Sequence, residues 1–76
     1  MLEVITDFII DIWKQIMETD VVIDKNTNFF GIGGNSLQVM QCLRAIEKKY
    51  PDILKISDFF VFVTPEELAQ YIVDNI

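Results

Sequence analysis

Histidine is missing from these 76 residues, and there is one cysteine, Cys42. Without an imidazole, neither a Ser-His-Asp nor a Cys-His relay can be assembled, so a hydrolytic role for any serine falls. The same shortage leaves zinc with poor ligands, and Cys42 reads as a small buried apolar residue on the core face of a helix rather than as a nucleophile. A lone thiol cannot form an internal disulfide, so nothing indicates an oxidising compartment and a cytoplasmic location is expected.

Positive charge is scarce too. Six Lys and Arg stand against twelve Asp and Glu, a net charge of −6. A nucleic-acid partner is therefore not expected, because that function needs a basic face to displace counterions from phosphates. Long hydrophobic runs are lacking as well. The longest, Phe59 to Val63, is too short to span a bilayer. Glu3 and Asp7 interrupt the N-terminal apolar positions and no basic stretch precedes them, so neither a signal peptide nor a membrane partner is expected and the chain reads as soluble. Asp24-x-Asn26-x-Asn28 hints at a calcium loop but lacks the glycine and the distal glutamate at the required offsets. No repeat or low-complexity segment is visible.

What is present is 51% hydrophobic and periodic. That pattern excludes disorder and predicts one all-α domain over residues 1–76, near the size at which a single core supplies only about 3–5 kcal/mol. From Leu2 to Glu18, Leu2, Ile5, Phe8, Ile9, Ile12 and Ile16 recur at three- and four-residue spacing opposite Glu3, Asp7, Asp11, Lys14 and Glu18, which predicts helix one. Trp13 is expected at the edge of the core and Ile10 on the polar side. A long connection follows from Thr19 to Asn35. Its Val21, Val22, Ile23, Phe29 and Phe30 are expected to pin it over the helices, with turn chemistry from Asp24 to Asn28. Val21 to Ile23 has the residues of a strand but no obvious partner.

Helix two is predicted from Ser36 to Lys49, with Asn35 or Ser36 as N-cap and Pro51 beyond its end. Arg44, Lys48 and Lys49 complement its dipole. Val39, Cys42, Leu43, Ile46 and Tyr50 share its core face. Leu37 falls instead among Gln41, Arg44 and Lys48, with Met40 at the border near Ser36; it is either a stray exposed leucine or a contact for another molecule. Ser57 is expected to cap a short third helix containing Phe59 and Phe60. Thr64-Pro65-Glu66-Glu67 opens a fourth, with Thr64 as N-cap, Pro65 at the first position and Glu67 closing a capping box. The fourth helix is expected to bury Leu68, Ala69, Ile72 and Ile76, with Tyr71 on its flank.

All three glycines lie within Gly31-Ile32-Gly33-Gly34, just before Asn35-Ser36. The absence of a Gly-Lys-Ser/Thr ending rules out a nucleotide loop of the Walker type. A serine at a helix start has no base to activate it, but free amides and the dipole there favour an anion. On local evidence Ser36 is either a plain helix cap or a residue that another enzyme modifies with a phosphate-bearing group.

The run Phe29-Phe30-Gly31-Ile32-Gly33-Gly34-Asn35-Ser36-Leu37 resembles the F-F-x-L-G-G-[HN]-S-L core of phosphopantetheine-dependent carrier proteins, and the order of the helices follows that family along the whole chain. Gly31 and Ile32 depart from the usual polar residue and leucine. The resemblance implies a four-helix bundle of acyl-carrier-protein type with a long first loop and a short third helix. It implies phosphopantetheine esterified to Ser36 by a phosphopantetheinyl transferase using coenzyme A and magnesium, within the Gly33-Gly34-Asn35 loop. Gly-Gly-Asn-Ser, with Glu47 as the only acid of helix two, is most similar to peptidyl carrier (thiolation) domains of nonribosomal peptide synthetases. An acyl carrier of a polyketide or specialised fatty-acid pathway is the alternative within the family, and a small helical interaction module without a prosthetic group is the alternative outside it. The implied partners are adenylation, condensation and thioesterase-type release domains, met by a monomeric, non-enzymatic tether through Leu37, Met40, Gln41, Arg44, Phe59 and Phe60.

Overall fold

Periodic burial decides where the helices lie in the computed structural model, which describes all 76 residues. Helix α1 spans Leu2–Met17 and buries Ile5, Thr6, Ile9, Ile12 and Trp13. The hydroxyl of Thr6 donates to the Leu2 carbonyl at 2.8 Å, which satisfies a polar group that would otherwise be stranded in the core. The helix stops where Glu18 turns left-handed, φ 45°, a conformation that breaks the hydrogen-bond ladder.

Helix α2 spans Ser36–Glu47, two residues shorter than expected at its C-terminal end, with Val39, Cys42, Leu43 and Ile46 buried. Tyr50, just past it, is half-buried and meets the ring of Phe8 edge-on at 5.7 Å. The Lys49 ammonium lies 5.0 Å from the centre of the Phe8 ring, a cation over an aromatic face. Helix α3 spans Pro65–Asn75 and buries Leu68, Ala69 and Ile72. Thr64 caps it as predicted, accepting from the Glu67 amide at 3.2 Å. The Glu67 carboxylate accepts from the Thr64 hydroxyl at 3.0 Å, so the acid returns to the cap's side chain. The structure is all-helical, with no strand at Val21 to Ile23.

Several expectations are corrected. The short third helix is a 3₁₀ turn, Ile56–Phe60, so there are three α-helices and not four. Its N-cap is Lys55, two residues before Ser57, and the Lys55 amide donates to the Asp58 carboxylate at 2.8 Å. Ile76 is not buried: it lies beyond the last helical residue and is 65% exposed. Trp13 is fully buried at the centre, not at the edge, because its ring reaches under the connecting loop to meet Phe29 edge-to-face at 4.9 Å. Its indole N–H has no acceptor, so packing alone holds it. Ile10 is half-buried against the core.

α1 packs against both α2 and α3, and α2 packs against the 3₁₀ turn. The connection between α1 and α2 is tied to the start of α3. The Glu66 amide donates to the Lys25 carbonyl at 3.1 Å, the Phe29 amide donates to the Val63 carbonyl at 2.9 Å, and Lys25 and Glu66 form an exposed ion pair at 3.7 Å. Of its apolar residues Ile23 and Phe29 are buried and Phe30 is half-buried, whereas Val21 and Val22 are exposed and pin nothing.

Candidate functional site

The loop before α2 is built from its own polar side chains. Asp24 accepts from the Asn26 amide at 2.8 Å, and Asn28 Oδ1 accepts from the amides of Phe30 and Gly31 at 2.9 and 3.0 Å. The Asp24, Asn26, Asn28 pattern therefore serves turn closure. Gly33 has φ +92°, which an L side chain rarely adopts, and open space around it. Gly34 is required for a different reason: a Cβ there would lie 2.4 Å from two ring carbons of Phe29 and 2.7 Å from its carbonyl oxygen. At Gly34 the space is taken by the protein's own core.

Asn35 is the N-cap of α2. Its side chain accepts from the Gln38 amide at 2.9 Å, and the Gln38 side chain accepts from the Asn35 amide at 3.1 Å, a complete capping box. Ser36 is the first helical residue and is exposed, so the hydroxyl is relieved of capping duty. The cap of α2 is therefore Asn35 and not Ser36. The amides of Gln38 and Val39 are taken by the side chain and carbonyl of Asn35, which leaves those of Ser36 and Leu37 as the unpartnered donors of the first turn. No acid occupies that turn, so the positive end of the helix dipole is uncompensated. An exposed hydroxyl beside two free amides fits a phosphate ester.

Around the serine, Leu37 is 68% exposed and Met40 38%, and Gln41 and Arg44 are exposed further along α2. On the neighbouring 3₁₀ turn Phe60 is 53% exposed. Phe59 does not belong with them. It is fully buried, 6.2 Å from Phe29, because adjacent residues of a tight turn point apart and only one of the two can face outward. Sequence reasoning also missed Ile56 and Val61, exposed on either side of Phe60, and the role of Gln38. The signal for Gln38 was present in Asn35-x-x-Gln38.

Cys42 lies six residues after Ser36 but on the core face, and burial pushes its thiol up to about 12. It stays protonated and unreactive near neutral pH. No cluster of three or more His, Cys, Asp or Glu side chains is arranged to hold a metal ion, and no helix is long and apolar enough to cross a membrane.

The chain has matches among known proteins. A family model described as "Phosphopantetheine attachment site" matches residues 7–72. The chain is 34% identical over 64 residues to bacitracin synthase 1 of Bacillus licheniformis, a match that covers 84% of this chain and 1% of that protein. It is 37% identical over 62 residues to surfactin synthase subunit 1 of Bacillus subtilis (strain 168), covering 82% of this chain and 2% of that one. The chain thus spans only a small fraction of these curated relatives. No solved structure gives a significant match.

Proposed function

Because the chain belongs to the phosphopantetheine-attachment family, we propose that Ser36 carries the arm and that the domain is a peptidyl carrier (thiolation) unit of nonribosomal peptide synthesis, a tether and not an enzyme. The observation that carries this reading is the division of labour at the start of α2: Asn35 caps the helix and Ser36 is left exposed beside free amides. The three α-helices and the 3₁₀ turn are then the carrier-type bundle, with the 3₁₀ turn in place of its short third helix.

When bound, the arm supplies a terminal thiol that holds an aminoacyl or peptidyl group as a thioester. The residues of this chain do the rest. Ser36 Oγ is the nucleophile toward the pantetheine-side phosphorus of coenzyme A: its proton passes to a base of the phosphopantetheinyl transferase, since no histidine is present here, the pyrophosphate P–O bond breaks and 3′,5′-ADP leaves. The Ser36 and Leu37 amides and the positive end of α2 stabilise the resulting phosphodiester. Leu37, Met40, Gln41, Arg44 and Phe60 form the surface presented to adenylation, condensation and thioesterase-type domains, in a monomeric cytoplasmic setting. Similarity to bacitracin and surfactin synthases supports the peptidyl branch. Tethering raises the effective concentration of cargo at each partner site without new contacts.

Intact-protein mass spectrometry tests the attachment. The purified chain incubated with coenzyme A, magnesium and a permissive transferase is expected to gain one phosphopantetheine, and Ser36→Ala none. A wild-type mass unchanged by several transferases would overturn the reading. Which activated acids a cognate loading enzyme then attaches separates a peptidyl from an acyl carrier.

A further inference from the structure

Phe29 lies seven residues before Ser36, fully buried, and has no place in the modification described above. Its surroundings connect it to the serine all the same. Its ring meets Trp13 of α1 at 4.9 Å and Phe59 of the 3₁₀ turn at 6.2 Å, both edge-to-face, so it is braced from two elements. Its backbone is fixed on both sides: the Phe29 amide donates to the Val63 carbonyl at 2.9 Å, and the Phe29 carbonyl accepts from the Gly34 amide at 3.0 Å. The α-carbon of Gly34 rests on the ring so closely that no Cβ fits. Between Gly34 and Ser36 stands one residue, Asn35, held extended at φ −130°, ψ 175° by the capping box.

We propose that Phe29 is a positioning residue for phosphopantetheine transfer: its ring is the seat of the Gly34 backbone, and through that contact the aromatic core sets where the Ser36 hydroxyl is presented to the transferase. The inference rests on Ser36 being the attachment point. The lever from seat to hydroxyl is two residues long and its far end is gripped by Asn35 and Gln38, so a displacement at Gly34 reaches Ser36 with little room to dissipate. A methyl at Gly34 requires about 1 Å of movement, the difference between 2.4 Å and the 3.4 Å at which ordinary contact begins. A misplacement of that size at a reacting group lowers a rate by about 10²-fold. The substitution changes none of the exposed side chains of α2 or Phe60, so the chemistry of the surface that meets the transferase is preserved.

The test is steady-state transfer from coenzyme A to four chains: wild type, Gly34→Ala, Phe29→Leu and the double variant, with folding followed by circular dichroism. Gly34→Ala is expected to lower kcat by roughly 10–100-fold with KM for the carrier within about twofold, the signature of misplacement rather than lost binding. Phe29→Leu relieves the contact with the ring but leaves the methyl against the Phe29 carbonyl oxygen, so the double variant is expected to recover part of that loss. Equal kcat for wild type and Gly34→Ala, or a double variant no faster than Gly34→Ala, overturns the role. Should Gly34→Ala fail to fold, Phe29→Leu alone decides: lowered kcat at constant KM supports positioning, and unchanged kcat overturns it. A wild-type chain that takes no phosphopantetheine overturns the attachment reading and this one with it, whereas a wild type that loads beside an equally fast Gly34→Ala overturns positioning alone.

Discussion

The two Phe-Phe dipeptides have the same chemistry and each divides between two layers. Phe29 and Phe59 are fully buried and meet edge-to-face at 6.2 Å; Phe30 and Phe60 are partly exposed and stack nearly parallel, 5.3 Å apart and 16° between planes. The inner pair joins the loop and the 3₁₀ turn to α1 through Trp13. The outer pair joins the same two segments at the surface, leaving one flank of each ring in water. One dipeptide thus serves stability with one ring and supplies surface with the next, and the surface cannot shift without disturbing the core beneath it.

The harshest way to break this comparison is to empty the inner layer. Phe59→Ala is expected to cost about 3–5 kcal/mol, the range for removing a fully buried phenylalanine. That is comparable to all a core of this size supplies, so the variant should be largely unfolded in water by far-ultraviolet circular dichroism and urea titration. If instead Phe59→Ala cost no more than Phe60→Ala, the two layers would not differ energetically and the inner ring would not hold the segments together.

The outer layer is expected to answer more quietly. Phe60→Ala should cost about 1 kcal/mol, since much of its ring is already wet. A double-mutant cycle with Phe30→Ala sharpens the point. A coupling of about 0.5–1.5 kcal/mol is expected for a stacked aromatic pair beyond its area burial. A coupling near zero would mean that the two rings merely lie side by side.

The division between layers also marks how far the sequence could be read. Spacing of three and four placed the buried stripes of α1, α2 and α3, because each stripe is a property of one helix. Trp13 escaped that reading. Its burial depends on Phe29, sixteen residues away, and a helical wheel holds no information about a loop folded over it. Phe59 and Phe60 escaped it for a related reason, since nothing in an apolar pair within a tight turn says which member goes inward until the neighbouring elements are placed. The site was more legible than the core around it. Asn35-x-x-Gln38 already contains the capping box that frees Ser36, and the off-stripe position of Leu37 was visible from the wheel. The demand for glycine at position 34 was not, because it comes from a ring five residues earlier pressing on the backbone.

The gentlest test of the outer layer is Leu37→Asp, and it separates surface from stability most cleanly. Leu37 is the second residue of α2, 68% exposed, in a first turn that contains no acid. Removing so wet a side chain loses little burial, while a carboxylate near the positive end of the helix contributes about 0.3–1 kcal/mol at low salt. The unfolding midpoint is therefore expected to stay level or rise slightly, with the gain shrinking as salt screens the dipole. Loading by a partner should fall all the same, about fivefold or more, because truncating an interface anchor costs over ~1 kcal/mol and the new charge must be desolvated on docking. Unfolding and loading measured on the same sample decide the matter. A loss of stability above about 1 kcal/mol would place Leu37 with the inner layer as part of the packing under the loop. Unchanged loading would mean that the partner approaches Ser36 from elsewhere.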